Sequence, residues 1–102
     1  MQIIKKLCTM IEEELHDSEK YIDCALYHKD SDRELADLFY ALSGEEMDHM
    51  ERLHAQVVRI IKEFRAKNGE PPENMKAVYD YLHEQQIDHA SKINIKRSMY
   101  RG

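Results

Sequence analysis

Tryptophan is absent from the 102-residue sequence, and glycine (three), proline (two) and cysteine (two) are scarce. So few turn formers exclude a fold of many short strands and tight loops, and predict long helices with few connections. Cys8 and Cys24 lie sixteen residues apart with no CxxC pattern. That spacing puts them on different sides of a helix, excludes a disulfide framework and predicts a reducing, cytoplasmic setting. No apolar run approaches the roughly 20 residues of a membrane span. The opening "MQIIKKLCTM" has no apolar stretch of useful length, so neither a membrane partner nor a secretory leader is expected. Acids and bases are interleaved around a net charge of −5. Without a concentrated basic face, nucleic acid is not expected as a partner. The cations of "INIKRSMYRG" read as the ordinary basic end of a frayed helix.

What the chain does have is 42% hydrophobic and 34% charged residues, arranged with helical period. Its length bounds it to one domain, 1–102, or to one half of something built from two copies, and a monomeric core would be thin. The pattern breaks twice. "HKDSDRE" offers Ser31 or Asp32 as a helix N-cap, and "KNGEPPEN" supplies Gly69 as a stop followed by a proline pair. These breaks predict an all-α fold with helices over about 2–28, 32–67 and 73–98, the first two forming an antiparallel hairpin. Gly44 falls inside the second helix, where it costs about 1 kcal/mol relative to alanine without ending the pattern.

Winding each helix at about 100° per residue gives the expected buried faces. The first carries Ile4, Leu7, Ile11, Leu15, Ser18, Ile22 and Ala25, with Glu14 about 60° from its centre. The second carries Leu35, Leu38, Phe39, Leu42, Leu53, Val57, Ile60 and Phe64, and Glu46 and His49 interrupt it between Leu42 and Leu53. The third runs Met75, Val78, Leu82, Gln86, His89 and Ile93. His54, Glu13 and His16 face away from the stripes, toward solvent.

A carboxylate buried without a partner costs several kcal/mol unless a cation, a proton or a metal offsets it. No lysine or arginine sits at the centre of any stripe. Residues three apart stand one above the other on a helix, so Glu46 and His49 reach one point in the core. A Glu-x-x-His step with one glutamate from a neighbouring helix is half of the ligand pattern of di-iron carboxylate bundles. This chain holds one such half: Glu14, Glu46 and His49. Two chains related by a two-fold axis supply the full set, so a homodimer or higher homo-oligomer is expected. Mixed carboxylate and imidazole ligands suit iron, with manganese or zinc as substitutes.

At these residues the chain resembles the ferritin-like superfamily, in particular the half-length encapsulated ferritins, and shares a wider pattern with the rubrerythrins. The resemblance rests on "EELHDSEKY" (13–21), with two acids, a leucine and a tyrosine seven residues after the second acid, and on "EEMDH" (45–49). It spans residues 7 to 62. It implies a ferritin-like four-helix bundle formed by dimerisation, and a di-iron site that oxidises Fe(II) to Fe(III). Glu14, Glu46 and His49 match the family's metal ligands, and Tyr21 matches a tyrosine that orients a ligand. Glu13 matches one acid of a pair that holds metal at the site's entrance, while the second acid is replaced by His16. Lys20 stands where the family has tryptophan, and no cargo-loading tail is evident, so an encapsulating shell is unsupported as a partner.

The expected activity is therefore ferroxidase, with Glu14, Glu46, His49 and Tyr21 as its residues and Glu13, His16 and His89 as accessory ligands. Three other readings stay open. One is a rubrerythrin-like peroxidase, which would need an external electron donor because no CxxC pairs are present. The others are a metal-binding protein without turnover and a non-catalytic helical interaction module. In the last, Glu14, Glu46 and His49 form a polar specificity network.

Overall fold

The computed structural model describes residues 2–102 as three α-helices, with no strand among the described residues: α1 (Gln2–His28), α2 (Arg33–Asn68) and α3 (Glu73–Arg101). Asp32 is the α2 N-cap, its Oδ1 accepting the Leu35 N–H at 3.1 Å. Gly69 ends α2 with φ 77°, its N–H donating to the Arg65 carbonyl. α3 starts directly after Pro72, where a missing N–H leaves no helix bond unmade.

α1 and α2 run antiparallel, and α3 returns antiparallel to α2, resting mainly on α1. The bundle measures 55 × 19 × 18 Å, the length expected of a helix of about 36 residues at 1.5 Å rise. No helix among the described residues is long and apolar enough to cross a membrane.

The α1 stripe is buried as expected at Ile4, Ile11, Leu15, Ser18, Ile22 and Ala25, with Cys8 added and Leu7 half-buried. α2 differs. Its buried residues are Ala36, Ser43, Met47 and Val57, of which only Val57 belongs to the expected face. Leu35, Phe39, Leu42, Leu53, Ile60 and Phe64 are half-buried, and Leu38 is 53% exposed. Small side chains explain the rotation. Ser18 and Ser43 are both fully buried, and the Ser18 hydroxyl lies 2.9 Å from both the Ser43 carbonyl and its hydroxyl. The helices meet where their backbones approach most closely, so the large residues of α2 are turned to the flank.

On α3, Gln86 and Ile93 are buried but Val78 is exposed. The helix also runs beyond the expected end at 98, to Arg101, because its last turn is anchored rather than frayed. Tyr100 is buried, stacks on Tyr40 with ring centroids 4.8 Å apart and donates to Asp37 Oδ1. That hydrogen bond, followed by the Arg33 guanidinium, holds the Asp37 carboxyl below its ordinary pKa. Lys29 and Arg33 lie over the same ring.

Candidate metal centre

The Ser18–Ser43 contact fixes the register of the antiparallel pair. One turn back along α1, Glu14 comes level with the turn of α2 that carries Glu46 and Met47. Glu14, Glu46 and His49 each turn a ligand atom into one cluster, all within 4.8 Å of one another. His49 Nδ1 is 3.6 Å from Glu14 Oε2 and 3.8 Å from Glu46 Oε2. Both distances exceed hydrogen-bond length, so these are loose ion pairs that exist only while the imidazole is protonated. Glu14 Oε2 is buried and accepts no hydrogen bond. Water is not excluded from the whole group, since the His49 side chain is 51% exposed against 25% for Glu14 and 19% for Glu46. Two carboxylates and an imidazole, one oxygen buried and unsatisfied, form a donor set that fits a first-row divalent cation.

The group lies on a flank of the hairpin turned away from α3. Leu7, Glu14, Tyr21 and His28 follow one another at seven-residue intervals along α1, all half-buried. Phe39, Leu42, Leu53 and Ile60 face the same side from α2, also half-buried. Tyr21 and His28 each stack on Phe39, with centroids 6.3 and 6.2 Å away. Tyr21 is thus set among rings two turns from Glu14.

The expected accessory residues do not join this group within one chain. Glu13 is exposed. His16 stands about 200° around α1 from Glu14, on the side that carries α3. There its ring meets that of His89 edge to face, with centroids 5.1 Å apart. His89 Nε2 is 3.0 Å from Glu19 Oε1. His16, Glu19 and His89 form a second cluster with ligand atoms within 4.8 Å. Sequence reasoning missed Glu19, although its place three residues after His16 was the available signal.

His54, expected in solvent, is half-buried and stacked on His83 of α3, with their Nε2 atoms 3.1 Å apart. One ring donates and the other accepts. Burial, and then the charge of His83, push the His54 pKa below its ordinary value.

Comparison with known protein families, with curated proteins and with solved structures finds no match.

Proposed function

We propose that two copies of this chain pair through the flank that carries Glu14, forming a four-helix bundle that binds iron and acts as a ferroxidase. The observation that carries this reading is the buried Glu14 Oε2, which lacks a hydrogen-bond partner and faces Glu46 and His49. A hydrogen-bonded core network would satisfy that oxygen, and an apolar core would replace it; a cation-binding site requires it bare. The half-buried apolar residues along the same flank supply a surface that a second copy covers. The likeness of "EELHDSEKY" and "EEMDH" to ferritin-like motifs points to the same chemistry.

Fe(II) held there would give up one electron to become Fe(III), with O₂ or peroxide as the electron acceptor. Glu14 and Glu46 supply anionic oxygens that favour the higher charge of Fe(III) over Fe(II). His49 would hold the ion through a ring nitrogen. Tyr21 stacks on Phe39 two turns along α1 from Glu14.

Oxygen uptake tests the activity. Adding Fe(II) to the wild type should consume O₂ well above the rate of Fe(II) in buffer, and Glu46→Ala or His49→Ala should remove the excess. Uptake equal to the buffer rate in the wild type would refute ferroxidase function.

A further inference from the structure

The second cluster lies across α1 from the proposed iron site and draws on a different helix. His16 and Glu19 stand one turn apart on α1, and His89 reaches them from α3. Glu19 Oε1 is already 3.0 Å from His89 Nε2. The two imidazoles meet edge to face, and one ligand atom from each lies within 4.8 Å of the other and of Glu19. Ligands around 2.0–2.1 Å from a tetrahedral ion stand roughly 3.3 Å apart, so to close the set the exposed His16 ring has to move inward and the proton between His89 and Glu19 has to leave as the ion enters.

The carboxylate is prepared for that role. Lys96 Nζ donates to Glu19 Oε2 at 3.2 Å and to Asp23 Oδ1 at 2.8 Å. It thereby fixes one carboxylate oxygen and leaves Oε1 turned toward the imidazoles, as outer-shell donors do around metal ligands. His16 and His89 line a cleft of about 390 Å³ together with Glu12, Asp88 and Lys92. On the side of the two imidazoles the cleft would admit water to an ion held there.

We propose that His16, Glu19 and His89 form a mononuclear site for a zinc-class divalent cation, one per chain, that clamps α3 onto α1. Two imidazoles and one carboxylate with an open position match the ligand set zinc takes. The site neither depends on the proposed iron site nor requires dimerisation. It gives α3, which the iron site does not use, a defined place in the molecule.

The test uses full-length Glu46→Ala/His49→Ala protein, in which the other cluster is disabled, titrated with Co²⁺ and followed by its visible absorption. One Co²⁺ per chain is expected, displaced by Zn²⁺, with a higher melting temperature in Zn²⁺ than in chelator. Adding His89→Gln or the exposed His16→Gln should weaken Co²⁺ binding by about 100-fold or more, since loss of an outer-shell partner alone costs about 10–100-fold. Either variant should also abolish the Zn²⁺-dependent rise in melting temperature. No Co²⁺ uptake in the parent variant, or uptake unchanged by both glutamines, would overturn the site. Either result would leave the iron reading untouched.

Discussion

Replacing Glu14 with leucine should make the metal-free protein more stable while abolishing metal binding at the proposed iron site. The Glu14 side chain is 25% exposed and carries a buried oxygen without a hydrogen-bond partner. Removing such an acceptor relieves about 1–3 kcal/mol. Leucine adds apolar burial of about 1.5–3 kcal/mol when complete, reduced here by the remaining exposure. Against these stands the loose pairing with His49 at 3.6 Å. With the imidazole half exposed, that pairing is worth about 0–1 kcal/mol. The net gain is on the order of 2 kcal/mol, or roughly 8–16 °C in melting temperature for a domain of this size. The assay is thermal unfolding in chelator at fixed protein concentration, with Glu13→Leu as the exposed control, expected within about 0.5 kcal/mol of wild type. A lower melting temperature for Glu14→Leu would refute the reasoning, because it would show Glu14 acting as a structural partner of His49.

Ser18→Ala should cost about 1–3 kcal/mol in urea unfolding, because it leaves the buried Ser43 hydroxyl without the bond at 2.9 Å; an unchanged midpoint would remove the serine pair as the origin of the helix register. Gly69 adopts φ 77° and ψ −166°, a region nearly closed to other residues. Gly69→Ala should therefore destabilise by about 1–3 kcal/mol although its Cβ meets open space, and a neutral result would contradict the backbone account. The depressed pKa of His54, set by burial and by His83, makes the unfolded state bind protons first as pH falls. Its contribution to stability is whole above a pH of about 6.5 and is lost as pH falls from there through the depressed folded value. Urea midpoints measured from pH 8 to 5 should fall less steeply in His54→Gln than in wild type, and parallel curves would dismiss the pair as a source of acid sensitivity.

α1 was legible because it has a single apolar stripe with serine at its centre, and winding the helix finds it directly. α2 was misread because it carries two apolar lines. Size-weighted reading selects Leu35, Leu38, Phe39 and Leu42, whereas close approach of two backbones selects Ala36 and Ser43. The large residues thus mark the flank, and the small ones mark the contact. Glu14, Glu46 and His49 were readable as a group because two of them stand three apart on one helix and the third follows from antiparallel pairing. The His16–Glu19–His89 and His54–His83 contacts were not, since each depends on where α3 lies against the hairpin. The weak periodicity of α3 does not fix that position. Tyr100, which anchors its end, finds its partners Tyr40 and Asp37 more than fifty residues away in sequence.

The most direct test of the central claim is mass and iron content measured on the same sample, by light scattering and elemental analysis, for wild type and Glu46→Ala. The account predicts a dimer holding about two irons in the wild type, both lost in the variant. A wild-type protein that stays dimeric yet metal-free after anaerobic addition of Fe(II) would contradict it, and would make Glu14, Glu46 and His49 a polar network in a structural bundle.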